Sequence, residues 1–421
     1  MKFIILFSFV FRLFLTLISN SHPDIGNHVD WGNRFWQYGP TDFYHQSIWS
    51  VSFPNQPFGS IYLFAAISKI YDFIKYSAWE LNIKFPIFPS FLIPFIETKL
   101  HIILLKLPFI LAETALGYLI YLIAEKYKKG SGKLATILYL FNPTTFYNSA
   151  VWGQTDSLIN LLALTGFYLV LNKKVSLGIF VFFSSFFFKL SLIFYLPIFL
   201  ILLTSNKTAI KQIIIGFISV LIVSAILILP FSGSSNPITW LFNNYLHIVI
   251  SGQGHMLNGN AFNLWYLFTG SDLTRNELNL LISGLSYRQV SQFIFICLYL
   301  PILYKFFKSS KNPTIVIQTL FLISLGSFTL LTAMHERYLY PIFPLITILV
   351  CISSLYSYKS LFMLTIIHLL NLYNLWFYPH FDLIKNFLLF NNFLFGKILS
   401  IILIIYLINT SIVYFKNIDQ K

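Results

Sequence analysis

"TLLTAMHERYLYPIFPLITIL" (residues 329–349) is apolar at both ends and holds His335, Glu336 and Arg337 in a row at its centre. An unpaired charge at the middle of a bilayer costs at least about 2.5–3.5 kcal/mol on insertion scales. These three residues therefore belong either at a membrane boundary facing water or on the wall of a polar cavity. Both placements mark a candidate working site.

The chain of 421 residues is 57% hydrophobic, 19% aromatic and 10% charged, where a soluble domain carries about 25% charged residues. Apolar runs fit to cross ~30 Å of hydrocarbon recur throughout, which predicts an all-α fold: a polytopic transmembrane helix bundle of about 11–14 spans. No linker or internal repeat divides it, so residues 1–421 read as one domain. The net charge of +14 does not imply nucleic acid, because Lys and Arg cluster in short loops between apolar runs, as the positive-inside bias produces. Cys297 and Cys351 both lie inside apolar runs, which argues against a disulfide framework. "MKFIILFSFVFRLFLTLIS" reads as a retained first helix: Arg12 interrupts its core, and the following "NSHPD" offers no small-x-small cleavage site.

Candidate spans fall at 3–19, 59–76, 101–125, 133–150, 155–172, 175–189, 190–205, 212–231, 290–307, 313–333, 339–356, 360–378 and 393–415. Basic clusters at "EKYKKGSGK" (125–133), "NKK" (172–174), "SNKTAIK" (205–211), "KFFKSSK" (305–311) and the terminal "FKNIDQK" are consistent with a cytoplasmic location. This leaves outside a long first loop (20–58), "WGQTD", a second large loop (232–289), "HERY" and "YPHFDLIK". Residues 59–125 must then cross an odd number of times, yet they contain two obvious spans. Either "FPIFPSFLIPFIETKLHIILLKLPF" hides a short crossing, or 59–76 dips in and returns. Asp24, Asp30, Asp42, Asp156, Asp272, Glu277, Glu336 and Asp382 all fall in the outer segments, a bias that suits chemistry on that face.

The first loop is rich in Trp and Tyr; Trp31, Trp36 and Trp49 read as interfacial anchors. Asp24 directly follows the first crossing and is held by a rigid helix end, where a carboxylate can deprotonate a sugar hydroxyl within hydrogen-bond reach. "FNPTTFYNSAVWGQTDSLINLL" (141–162) supplies an indole, an amide and a carboxylate in Trp152, Gln154 and Asp156, the groups sugar recognition uses. A turn at Gly153 and a helix N-cap at Thr155 or Asp156 would explain the same residues without function. Lys189 interrupts "FFFKLSLIFYLP"; it either snorkels or meets an anionic headgroup such as a lipid phosphate. "GQGHMLNGNAFNLWYLFTG" (252–270) reads as an irregular polar surface ending in an interfacial segment. In "HERY", Arg337 offers a planar fork for phosphate oxygens and His335 a second donor, while Glu336 orients Arg337 or binds sugar hydroxyls.

In this order the motifs resemble the GT-C class of membrane glycosyltransferases, most closely bacterial mannosyltransferase-like proteins related to the second GPI mannosyltransferase. The matching elements are "HPDIGNHVDWGNRFWQYGPTDFY", "LLKLPFILAE", "FNPTTFYNSAVWGQTDS", "AFNLW" and "MHERYLYP". Glu113 stands where that family more often has Asp, Lys189-Leu190-Ser191 where it often has Lys-Pro-Gln, and "NQPFG" where it tends to have Tyr-Pro-Pro. The resemblance implies a GT-C fold and an inverting transfer of a hexose, mannose in the family. The donor is a polyprenyl-phosphate sugar, the acceptor a lipid or glycan, and the site lies on the extracytoplasmic face of the cell membrane. Asp24 takes the place of the catalytic base, with Asp30 in reserve. Lys189, His335 and Arg337 bind the donor phosphate, and Trp152, Gln154, Asp156, Glu336, Tyr338 and Asn263 bind sugar or acceptor. No cofactor is required by this reading, and a divalent metal is left open. A lipid-linked glycan flippase would show repeat symmetry and charges along the mid-membrane depth. A glycan ligase using a polyprenyl-linked donor would share the outer site. No Gly-rich phosphate loop points to a nucleotide sugar.

Overall fold

Helix α1 (Lys2–Ile18) is amphipathic in the sense opposite to a soluble helix. Ser8, Arg12, Thr16 and the following Ser19 are buried, while Phe3, Leu6, Phe7, Val10, Phe14 and Leu17 point outward. Polar groups face the bundle and apolar ones face the surroundings, as expected where lipid is the solvent. Arg12 is fully buried and donates to the Leu140 carbonyl at 2.8 Å and to Thr145 Oγ1 at 3.3 Å. The charge that interrupts the first apolar run is thus an internal tie, and α1 packs as a bundle element.

The computed structural model describes residues 1–205, 210–242 and 254–418. Lys207 of "SNKTAIK", Gly252 and Gln253 of the Asn-rich stretch, 243–253 of the second large loop and 419–421 lie outside the described residues.

After α1 the chain turns by 91° into α2 (Pro23–Tyr38). Pro23 sits in the first turn, where its missing N–H costs nothing, and His22 is the N-cap, its ring nitrogen accepting from the Asp24 amide at 3.1 Å. The expected first loop is therefore largely helical, with a second short helix at Pro40–Phe43. α2 packs on α3 (Phe58–Lys84) by close backbone approach: a Cβ at Gly32 would lie 2.6 Å from the Phe64 carbonyl oxygen. Trp36 Nε1 donates to the Ala65 carbonyl at 2.8 Å. Trp31 is buried and donates to the Ser52 carbonyl, so it is a packing residue and not an interfacial anchor.

The 59–125 segment resolves as a hairpin. α3 runs on to Lys84, and α4 (Leu92–Tyr127) returns beside it through Tyr71 to Glu97, Trp79 to Glu97 and Ser68 to His101. Lys106, further along α4, meets Ser19 just past the end of α1, so the paired part of the hairpin continues beyond the level where α1 stops. Of the two helices, α4 is long and apolar enough to cross a membrane. Counting one crossing in this segment removes the parity conflict.

The bundle continues through α5 (Gly132–Leu140), α6 (Asp156–Leu171), α7 (Val175–Ser184), α8 (Leu196–Ser205) and α9 (Ile210–Ser232). After the β1–β2 hairpin (Leu280–Ile282, Leu285–Ser286) come α10 (Tyr287–Lys308), α11 (Pro313–Leu330), α12 (Ile342–Ile352), α13 (Tyr358–Tyr373) and α14 (Asp382–Ile418). α14 is broken at Phe390–Phe393. α9 exposes Ile210, Ile214, Ile218, Leu221 and Ile226, whereas α11 is buried almost throughout. Among the described residues five helices are long and apolar enough to cross a membrane, or six if the bent α1–α2 pair is one span. The chain is thus built as a helical bundle with several helices fit to cross a membrane; those long enough as single helices are fewer than the 11–14 expected spans, the other apolar segments among the described residues being shorter or broken. Several of the other apolar runs are interrupted, at Asn142–Gly153, Phe188–Ser191 and His335–Pro341.

Gly32→Ala drives a methyl group into backbone that cannot give way cheaply, a cost of about 1–3 kcal/mol. Thermal melting in nanodiscs should show a lowered transition; a wild-type transition would mean that α2 and α3 are not in close contact.

Candidate active site

The cavity grows out of the breaks between helices. Four of them, the α1–α2 turn, the turn between α5 and α6, the 185–195 segment and the 335–339 turn, meet around a space of about 850 Å³. Each break is a place where the sequence cannot continue a helix. The α5–α6 turn enters through Asn142-Pro143, passes a π-helical stretch (Tyr147–Trp152) and leaves through Gly153 at φ 88°. Only glycine suits that position, because a Cβ would also lie 2.6 Å from Ile25 and 2.9 Å from the Lys106 stem. Lys106 donates to the Ala150 and Val151 carbonyls at 3.0 and 2.7 Å and secures the turn. Gln154 is thereby presented to Asp24.

Asp24, Gln154, Asp156 and Lys189 line the cavity together with His335, Arg337 and Tyr338. Gln154 Nε2 donates to Asp24 Oδ2 at 2.7 Å, and Arg337 Nη1 lies 3.5 Å from the same oxygen. Lys189 Nζ donates to Asp156 Oδ1 at 2.8 Å and sits 4.8 Å from the Tyr338 ring centroid. Arg337 also contacts Glu336 Oε1 at 3.1 Å, and its guanidinium carbon stands 6.0 Å from the Trp152 ring. Arg337 Nε and Asp156 Oδ2 are buried without a hydrogen-bond partner among the described residues. An acid, two cations and a counter-ion, far apart in sequence, thus share one pocket.

Burial pushes the Asp24 carboxyl up, but Arg337, helped by His22, His28 and the Gln154 amide, outweighs it and leaves the group at about 2. Burial likewise pulls His22 and His28 down to about 4 and His335 to about 3, with the positive charge of Arg337 adding to it. Glu336 is pushed up by burial against the opposing pull of Arg337. Arg337 is raised, because Asp24 and Glu336 more than offset its own burial. At neutral pH the cavity therefore holds an ionised Asp24, neutral imidazoles and an arginine fixed in its charged form.

Several expected roles move. Trp152 does not line the cavity; it is buried behind His22, 4.2 Å between ring centroids, and forms a platform for Arg337 instead of for a sugar. Glu336 is also behind the wall and holds Arg337, the orienting alternative. Asp156 is the counter-ion of Lys189 and makes no N-cap bond. His335 lines the cavity, but its ring is packed on Gly259 and neutral, so it is not a cation for phosphate. Asn263 is a loop staple: it donates to the Phe328 and Leu331 carbonyls and accepts from the Trp265 and Tyr266 amides. Asp30 falls outside too, one oxygen paired with Arg34 at 3.0 Å and the other accepting from the Ser50 amide at 2.8 Å.

Helical periodicity explains why Asp24 wins over Asp30. Asp24, Asn27, His28 and Trp31 line the cavity, the i, i+3, i+4, i+7 face of α2; Asp30 is off that face. His28 and Gln56 were not expected, and the α2 face would have found His28 had residues 20–58 been read as helical. The lining also includes the apolar Leu192, Ile193 and Phe194 and, on α11, Ile323 beside Ser324 and Ser327. Ile193 is 45% exposed at the bundle surface. Among the described residues no group of three or more His, Cys, Asp or Glu is placed to hold a metal. No family model matches the chain, and no curated protein has detectable similarity to it.

The histidines set a pH dependence of stability. Below the unfolded value of about 6.5 the unfolded chain takes up protons that the folded His22, His28 and His335 refuse, so stability falls from pH 6.5 towards 4. The contribution of Asp24 is present above its unfolded value of 3.8 and is lost only as pH falls towards about 2. Melting across this pH series should slope downward, and His335→Asn should flatten it; a level wild-type profile would place these rings in water.

Proposed function

We propose that the protein is a glycosyltransferase of GT-C type that moves a hexose, mannose by resemblance, from a polyprenyl-phosphate donor to an acceptor hydroxyl on the extracytoplasmic face. The observation carrying this reading is the 3.5 Å approach of Arg337 to Asp24 in a cavity whose lining also includes the apolar Leu190, Leu192, Ile193, Phe194 and Ile323. A donor that is half lipid and half sugar phosphate needs both kinds of wall.

In the reaction Asp24 Oδ accepts the proton of the attacking hydroxyl. The hydroxyl oxygen bonds to the anomeric carbon from the face opposite the leaving group, and the bond from that carbon to the phosphate oxygen breaks. Its electron pair departs with the polyprenyl phosphate, which then carries one more negative charge. Arg337 Nε and the two Lys189 N–H groups not directed at Asp156 are the donors free to meet that charge. Asp24, held ionised, is a weak base and suits a late proton transfer from a hydroxyl already bonding to an electron-poor carbon.

The flippase alternative expects charged groups along a translocation path. Arg12 and Glu113 are buried deeper in the bundle, but neither lines the cavity; Arg12 is tied to the Leu140 carbonyl and Glu113 accepts from Tyr340 Oη at 2.7 Å.

Purified protein given polyprenyl-phosphate-mannose and a panel of acceptors should form a glycosidic product. Asp24→Asn should lower turnover by at least about 10²-fold, whereas Asp30→Ala should retain it. Arg337→Gln should raise the donor KM by about tenfold or more, the worth of a charge-assisted hydrogen bond. Normal turnover in Asp24→Asn would remove the base assignment, and movement of an intact lipid-linked glycan without bond exchange would favour the flippase.

A further inference from the structure

The cavity lining is chemically varied. Arg337 lies 3.5 Å from Asp24, while one helical turn further along α2 the lining is neutral: His28, with Asn27 on the same helix face and Gln56 beside it. Residues four apart on a helix stand about 6 Å from each other, a distance that one sugar ring can bridge.

His28 is 1% exposed, stacks on Phe64 at 4.2 Å between centroids and places Nε2 3.4 Å from Gln56 Nε2. Its Nδ1 and Gln56 Oε1 are buried without hydrogen-bond partners among the described residues. The pair can be arranged in two ways. If the Gln56 amide donates to His28 Nε2, a ring N–H donor and an amide oxygen acceptor are left over. If the amide is turned round, His28 Nε2–H donates to the Gln56 oxygen, and a ring nitrogen acceptor and an amide N–H donor are left over. Either way one donor and one acceptor remain on adjoining groups, and burying such atoms unsatisfied costs about 1–3 kcal/mol each. A hydroxyl both donates and accepts, so hydroxyls, one at each orphaned atom, satisfy either arrangement. A carboxylate or an ammonium satisfies neither.

We infer that His28 and Gln56 form an acceptor subsite that binds further, non-reacting hydroxyls, one on each residue, of the ring whose other hydroxyl attacks with the help of Asp24. The inference rests on the glycosyltransferase reading and narrows it: the acceptor is a neutral polyol, not an isolated serine or threonine hydroxyl. His28 and Gln56 are specificity residues that hold the acceptor, while Asp24 takes the proton.

The test uses full-length protein in nanodiscs with polyprenyl-phosphate-mannose, methyl glycosides and their mono-deoxy analogues. With wild type, two deoxy positions other than the reacting one should each raise the acceptor KM by about tenfold, the loss of one well-placed hydrogen bond. In Gln56→Met, a substitution of similar shape, the parent glycoside should show that same rise, one of the two deoxy analogues should add less than twofold, and donor KM should move less than twofold. If both deoxy penalties persist undiminished in Gln56→Met, or if a serine peptide is used as well as the glycosides, the subsite is wrong. If no transfer occurs, saturation-transfer NMR of methyl mannoside binding separates the two claims. Binding weakened about tenfold in Gln56→Met sustains the subsite while the transferase reading fails; equal binding, or no saturable binding to wild type, overturns the subsite.

Discussion

In an apolar bundle a charged side chain has few places to go, and here the constraint is met by making charges meet each other. Asp24 reaches Arg337, and Asp156 reaches Lys189 at 2.8 Å. Both pairs are largely withdrawn from solvent, so removing one partner strands the other at a greater cost than at a free surface. The pairs therefore fix the relative positions of four chain breaks that no apolar contact would specify so closely. Arg12 applies a related logic deeper in the bundle, where the Leu140 carbonyl and the Ser8 and Thr145 hydroxyls accept its hydrogen bonds.

The functional groups sit where helices stop. Asp24 follows the Pro23 turn, Gln154 follows the left-handed Gly153, Lys189 lies between two short 3₁₀ turns, and Arg337 opens another. A continuous helix satisfies its own backbone and buries side chains against neighbours. A break leaves side chains directed into the space between elements, at the price of backbone groups that need other partners. Lys106, donating to Ala150 and Val151, is one of those partners. A residue outside the cavity thus helps to set its shape.

The cavity also presents three kinds of surface to one space. Its lining combines the charged Arg337 and Lys189, the neutral polar His28 and Gln56, and the apolar Ile193 and Phe194. Burial keeps the imidazoles uncharged, so the neutral part stays neutral across the physiological range. Such a combination suits a substrate pair in which one partner is an amphiphilic phosphate and the other a polyol.

Composition and apolar run length alone determined a helical membrane bundle, because nothing but lipid solvates a chain with so few charges. The acid Asp24 and the "HERY" and "WGQTD" stretches located much of the charged part of the cavity wall, since charged and amide groups in such a chain must have a reason to be there. Run length did not show which apolar segments form single long helices, because apolarity marks a segment as buried or lipid-facing without saying whether the helix is interrupted, as at Asn142–Gly153. The sequence also could not separate Asp24 from Asp30 by chemistry, or a wall residue from one behind it, as with Trp152, Glu336 and Asn263. Those distinctions depend on which face of α2 meets the cavity and on hydrogen bonds between residues more than a hundred positions apart, such as Gln154 to Asp24. Local pattern carries the first kind of information because it is set by solvent; only packing carries the second, because it is set by neighbours the sequence does not place side by side.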